Sequence, residues 1–140
     1  EVRAWLRTLL GMRSRRGVID YALQRRATLV SLFTGLATPT DCCDADPYLL
    51  RAAKHHGERA ETDCPVCRRC RLTLLRYTFG DQLGQYSGRI KAPKELEQMA
   101  AEHGEFTVYV VEVCVECGWN HLVESYVLGD GIDRRQRAAR

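Results

Sequence analysis

No stretch of this chain approaches the roughly 20 consecutive apolar residues that a membrane-spanning helix needs. The longest apolar strings, such as Val108 to Val111, end within a few residues. Val2 to Leu10 is interrupted by Arg3 and Arg7, so no signal-peptide core is expected there. No internal repeat is present, and the one low-complexity segment is an arginine-rich end. The glycine-punctuated loop from Gly80 to Arg89 lacks the immediate helix of a phosphate-binding loop. Its Asp81, Ser87 and Arg89 form no recognisable nucleophile–base pairing. A turn held by Asp81, with Arg89 facing an acidic partner, is the expectation.

Charge of one sign is scarce over long stretches. From Glu1 to Arg26, seven arginines face only Glu1 and Asp20, and from Cys64 to Lys91 six bases face only Asp81. From Ala92 to Gly131 the sign reverses, with eight acids against Lys94 alone. The net charge of +3 conceals this division. Separated charge can orient a protein on a polyanion or on an oppositely charged partner, and it can equally be solvated surface.

The seven cysteines are odd in number, which argues against a closed disulfide framework. A reducing, cytoplasmic setting is expected. Four of them form two Cys-x-x-Cys pairs, Cys64–Cys67 and Cys114–Cys117. Each pair brings two thiolates together on a tight turn, and two such turns complete the tetrahedron of a structural zinc ion. Gly118 suits a turn position with positive φ. The 46 residues between Cys67 and Cys114 exceed the usual ribbon spacing of about 15–20, so an insertion with its own structure is expected.

The 140 residues suit one domain, or a small domain with an appended helical element. The first Met is at position 12, so residues 1–11 read as an upstream extension or a cloning boundary. Residues 1–17 form a basic extension. Residues 18–57 read as a helical unit, with Asp20 as an N-cap, apolar residues at helical spacing through Leu36, and Pro39 and Pro47 opening two short helices. Residues 57–63 read as a polar linker. Residues 64–131 read as a zinc-ribbon domain with strands at 72–79, 106–114 and 120–128. A loop and a helix over 93–103 are inserted between the cysteine pairs. Residues 132–140 form an arginine-rich tail, of which 133–140 carry no apolar residue beyond alanine and so cannot bury a core. The expected class is therefore α+β: a helical unit followed by a zinc-ribbon-like antiparallel sheet.

Three stretches together resemble a known family: Cys43 to Ala53, Phe79 to Gly84 with Ser87-Gly88-Arg89, and Glu112 to Asp130. The family comprises small uncharacterised actinobacterial proteins, catalogued as a domain of unknown function with a predicted zinc ribbon. The resemblance covers about Val18 to Gly131. It implies an actinobacterial source, a cytosolic setting and zinc on Cys64, Cys67, Cys114 and Cys117, and it supplies no activity. Cys70 lies outside the family pattern.

The remaining reactive residues carry alternatives. Cys64-x-x-Cys67-x-x-Cys70 echoes the start of an iron–sulfur motif. A spare thiol at Cys70, or a competitor for the metal under oxidation, fits better. Cys42 and Cys43 point in different directions, so burial of one as a small hydrophobe is expected rather than a second chelate. His121 could stand in for a cysteine ligand, although four cysteines already suffice. Trp119, at the tip of the second knuckle, could stack on a partner or pack over the metal. The segment from Thr38 to His56 has the size of a helix-turn-helix.

The leading functional expectation is a non-enzymatic accessory factor docking on a nucleic-acid machine, RNA polymerase ahead of the ribosome, with no membrane partner. Trp119 and Arg89 would contact protein, while Arg25 and Arg26 would lie near nucleic acid, whose contact would be nonspecific. The alternatives are an adaptor for a single protein partner and, further off, an enzyme using Cys43 or the Asp81 loop.

Overall fold

A computed structural model of the chain describes residues 15–131. The first 14 residues of the basic extension and the tail at 132–140 lie outside the described residues. In chain order the elements are β1 (Arg16–Asp20), α1 (Ala22–Phe33), α2 (Pro39–Cys42), α3 (Pro47–His56) and β2 (Glu58–Asp63). There follow β3 (Arg71–Phe79), a 3-10 segment (Asp81–Tyr86), β4 (Arg89–Ile90), α4 (Pro93–Glu102), β5 (Phe106–Val113) and β6 (Asn120–Leu128). The class is α+β, as expected.

The sheet holds six strands where the sequence suggested three, in the order β1-β6-β5-β3-β2 with β4 also pairing β3. All the pairings are antiparallel. The unforeseen strands are the outer ones. All five residues of β1 are exposed, and β2 (Glu-Arg-Ala-Glu-Thr-Asp) replaces the expected linker. Such strands are held by backbone hydrogen bonds, and their side chains carry no apolar alternation to mark them.

The starts of α2 and α3 follow the grammar read from sequence. Asp46 caps α3 as expected, accepting the Tyr48 N–H at 2.8 Å just before Pro47. Asp20 is not the N-cap of α1: it ends β1, Tyr21 takes the cap position, and the Asp20 carboxylate accepts the Ala22 N–H at 2.7 Å in a turn before the helix. At α2, the Asp41 carboxylate takes both the Thr38 N–H at 2.8 Å and its hydroxyl at 2.9 Å. The loop from Gly80 is closed by Ser87, whose Oγ accepts the Gly80 N–H at 3.1 Å.

β5 runs between β3 and β6 and divides the core. Phe106, Val108 and Val110 are buried beneath Leu96 and Met99 of α4 and Leu83 of the 3-10 segment, together with Tyr126 and Leu128. On the opposite face α3 covers only one end, where Ala53 packs on Leu75 and Val113. The rest of that face is open. Between Val110 and Val111 the partner on β6 jumps from Glu124 to Leu122, leaving Val123 as an extra residue. This bulge lets Val123 pack on the α4-side core and offers its carbonyl to the Tyr21 N–H at 3.0 Å.

Candidate metal centre and adjoining cleft

Two turns meet at one end of the sheet. The first follows β2 and carries Cys64 and Cys67; the second joins β5 to β6 and carries Cys114 and Cys117. Their backbones are fixed by the Arg68 N–H on the Cys64 carbonyl at 3.1 Å and the Gly118 N–H on the Cys114 carbonyl at 3.0 Å. The sulfurs accept backbone N–H groups as well: Val66 to Cys64 at 3.4 Å, Arg69 to Cys67 at 3.5 Å and Cys117 to Cys114 at 3.5 Å. These bonds orient the sulfurs and favour their thiolate forms.

The four sulfurs lie within 4.8 Å of one another, with Cys64–Cys117 at 3.7 Å and Cys67–Cys114 at 3.6 Å. A tetrahedral metal thiolate with bonds of about 2.3 Å has sulfur–sulfur edges of about 3.8 Å. Two of the edges already have that spacing and all four sulfurs stay within 4.8 Å of one another, so the donor set fits a metal ion. The electrostatics point the same way. Burial pushes the Cys64, Cys114 and Cys117 thiols up, so thiolates there require a cation. Burial also pushes the Cys67 thiol up. The Arg69 N–H and the surrounding thiols outweigh it and bring Cys67 down to about 6. A thiolate pocket with exposed Arg68, Arg69 and Arg71 on and just after its first turn is suited to offsetting the negative charge of four sulfurs.

Gly118 has φ of +87°, and a Cβ there would stand 2.9 Å from the Cys43 carbonyl oxygen. Its own carbonyl accepts the Ala45 N–H at 3.0 Å, which docks the α2–α3 connection onto the second turn. This close approach brings Cys43 Sγ to 3.8 Å from Cys117. Cys42 is buried, as expected for one of that pair. Cys70 stands outside the four-sulfur set, with its Sγ 3.1 Å from that of Cys114. The sequence placed Cys70 beside the site. It carried no signal for Cys43, whose proximity depends on folding around Gly118.

Trp119 corrects an expectation. It is fully buried at 0% exposure, packed with Cys42, Cys64, Leu72 and Cys114. It cannot be a partner-facing anchor, and the packing alternative is the one the fold adopts. The strand direction after the turn carries the indole inward. His121 stacks on it with centroids 5.9 Å apart and is no sulfur substitute.

Arg25 is drawn inward too. It forms a bidentate contact with Glu112, a carboxylate buried in the middle of the sheet. Glu112 was not singled out from sequence, although one acid within Val110-Val111-Glu112-Val113 was the available clue. Arg26 is exposed, and the Arg89 guanidinium lies 4.9 Å from the centre of the Tyr86 ring.

The open sheet face holds a cleft of about 770 Å³. Its floor is aromatic: Tyr77 of β3 lies directly across from Tyr109 of β5, and the Phe79 ring meets that of Tyr109 edge-on at 5.6 Å. Leu49, Val111 and Leu122 complete the apolar lining, and Tyr48, 77% exposed, stands at its rim. Asp46 also borders it; burial and the Asp46 charge together raise the Tyr77 pKa. Sequence alternation marked β5 as apolar on both faces, but the short reach of α3 leaves one of those faces uncovered.

The fold and its sulfur cluster thus define an α+β protein with a four-cysteine centre that could hold a metal ion. The chain belongs to the family of unknown function DUF5318, whose profile matches residues 12–140. It is 50% identical over 111 residues to uncharacterized proteins Rv0049 of Mycobacterium tuberculosis (strain ATCC 25618 / H37Rv) and Mb0050 of Mycobacterium bovis. Each match spans 79% of this chain and 81% of the relative. No solved structure matches the chain. Among the described residues, no helix is long and apolar enough to cross a membrane.

Proposed function

We propose that this protein is a non-enzymatic, zinc-stabilised docking module of the cytoplasm. Zinc is the reading that suits four thiolates at tetrahedral spacing. The ion would close the ribbon-like end of the sheet. The observation that carries the docking function is the aromatic cleft. Its rings offer a large, preorganised contact area of the kind that anchors partners. Two polar groups at its border are already engaged structurally: Asp46 caps α3, and His121 stacks on Trp119.

The occupant we assign is a segment of a partner protein with an apolar anchor beside a lysine or arginine. Asp46 borders the cleft and, among the described residues, no Lys or Arg lines it, so charge complementarity calls for a basic partner. Basic protein surfaces recur in nucleic-acid machines. RNA polymerase ranks ahead of the ribosome here by analogy, because zinc ribbons are common in transcription factors.

A second reading, an adaptor for one protein without nucleic acid, is favoured by the ion pairs of the basic residues. Arg15 pairs with Glu124 at 2.7 Å, Arg76 with Glu58 at 2.8 Å, and Arg25 with Glu112. Those arginines are therefore partly spent on the fold rather than held ready for a polyanion.

The test is quantitative copurification from native cells, with wild type compared with Tyr109→Ala. Polymerase subunits retained by wild type and lost from the variant support the docking reading. A single unrelated protein lost in the same way supports the adaptor. A retained set that is identical for both chains removes the cleft from either account.

A further inference from the structure

Six of the seven cysteine sulfurs gather at the knuckle end of the sheet, with Cys70 at one edge of the group, and the spacing there differs from the rest. Between candidate ligands the separations are 3.6 and 3.7 Å, and Cys43 approaches Cys117 to 3.8 Å. Cys70 and Cys114 are only 3.1 Å apart. The first values match the edge of a metal–sulfur tetrahedron of about 3.8 Å. The last is too short for such an edge and lies on the way to a disulfide, whose sulfurs stand about 2.05 Å apart. The backbone around Cys70 is anchored between the first turn and the end of β5. The Cys70 carbonyl is held by the Cys64 N–H at 2.8 Å, and three residues on, Thr73 lies opposite Val113, the neighbour of Cys114. Accessibility also separates the two: Cys114 is buried at 0%, whereas Cys70 is half-buried.

We propose that Cys70 is an oxidant-reactive site that opens the metal centre by capturing Cys114 in a disulfide. The inference rests on the metal reading above. The oxidant is a hydroperoxide. The Cys70 sulfur attacks its terminal oxygen and the O–O bond breaks. The sulfur becomes a sulfenic acid, and the departing oxygen takes up the thiol proton as an alcohol, or as water from hydrogen peroxide. The Cys114 thiolate then attacks the sulfenic sulfur. An S–S bond forms, and the displaced hydroxide takes a proton from solvent as water. Two electrons pass from the two cysteines to the peroxide, and the metal loses one of its four sulfurs.

This end of the fold would loosen as a result. Leu29 and Leu32 of α1 and Ala37 pack against the cluster, so release of the ion removes the surface on which that helix rests. A hydroperoxide signal would thereby become a change in local order at α1.

The experiment treats the zinc-loaded full chain with hydrogen peroxide. Released zinc is followed with a chromogenic chelator, and disulfides are mapped by non-reducing peptide analysis. Wild type should lose two thiols for each zinc released and yield the Cys70–Cys114 linked peptide, and dithiothreitol with added zinc should reverse both changes. Cys70→Ser and Cys70→Ala retain the four ligands and should release zinc about tenfold or more slowly, because the accessible attacking thiol is gone. Equal release rates in wild type and variants would overturn the inference. So would a wild-type map whose only linkages join the four ligand cysteines, a result that does not depend on any variant folding. A chain that carries no zinc before oxidation removes the metal reading and this one together. A chain that binds zinc and keeps it through peroxide removes this one alone.

Discussion

The two ends of the sheet are held by different chemistry. At the end away from the knuckles, Phe106, Val108, Leu96, Met99, Tyr126 and Leu128 bury hydrocarbon against hydrocarbon. At the knuckle end the buried cluster contains Cys42, Cys64 and Cys114, with Leu72 and Trp119 as its large apolar members. Burial of apolar surface stabilises the first end on its own, at about 25 cal/mol per Å². The second end collects thiols whose burial is unfavourable in the charged state and which need a cation to become mutually attractive. α1 belongs to the knuckle end. None of its residues is fully buried, and it reaches the sulfur cluster through half-buried Leu29 and Leu32 while Leu23, Val30 and Phe33 face outward. The contrast leads to the expectation that metal content and global folding respond separately in this molecule. Stability at one end is a property of the chain alone, whereas at the other four cysteines could hold a metal ion on which stability would then depend.

The largest effect that would test this division is withdrawal of the metal. Structural zinc contributes an apparent ~10–16 kcal/mol in small zinc-finger peptides, which rivals the whole stability of an ordinary domain. Chelation, or Cys114→Ser, should strip amide-exchange protection from residues 64–72 and 113–121 and from α1. Protection should persist in α4 and in the Phe106–Val110 part of β5. Hydrogen exchange followed by peptide mass analysis reads both ends at once. Uniform loss across the chain would show one cooperative unit and erase the comparison, and unchanged exchange would remove the metal from the account.

The converse substitution strikes the other end. Phe106 is 1% exposed and sits at the centre of the α4-side cluster. Phe106→Ala should cost about 3–5 kcal/mol through lost burial and a residual cavity. Bound zinc should stay at one per chain in the folded fraction, measured by denaturant titration alongside metal analysis. Loss of zinc in proportion to lost stability would show that the two ends do not respond separately.

The same contrast explains what could be read from sequence. The four-cysteine end was legible because paired Cys-x-x-Cys spacing on tight turns brings sulfurs together, and Gly118 has the positive φ that its position suggested. The α4 face was legible because Leu96, Met99 and Ala100 recur at helical spacing, and all three contribute to the core. β1 and β2 were not legible, since exposed edge strands need no apolar pattern. Trp119 was ambiguous because position in a turn does not determine on which side of the backbone a side chain lies. Cys43 and the cleft depend on long-range placement, by the Gly118 contact in one case and by the short reach of α3 in the other. The local sequence carries neither.

The smallest effect falls at the start of α4 and tests whether that end has an acid response of its own. Glu95 Oε1 accepts the Ala92 N–H at 3.1 Å, and Lys91 Nζ lies 3.5 Å from its other oxygen. The Ala92 backbone hydrogen bond, with help from the Lys91 charge, lowers the Glu95 pKa below its ordinary value of 4.5. A carboxyl group lowered on folding binds fewer protons in the native state than in the unfolded one. Its stabilisation is therefore fully present above pH 4.5 and is lost as pH falls through the depressed native value. The Glu95 side chain is 55% exposed, so solvent screening keeps the contribution below about 1 kcal/mol. Glu95→Gln retains an acceptor and comparable helix propensity while removing the titration. Wild type should exceed this variant slightly at pH 6, and the gap should close in strongly acidic buffer. Denaturant titrations of both proteins across that range check it, with exchange at residues 113–121 expected to be the same in both at pH 6. A gap that persists unchanged below the native pKa would mean that the carboxylate's charge does not act through α4, and a change at the knuckles would mean that the two ends communicate.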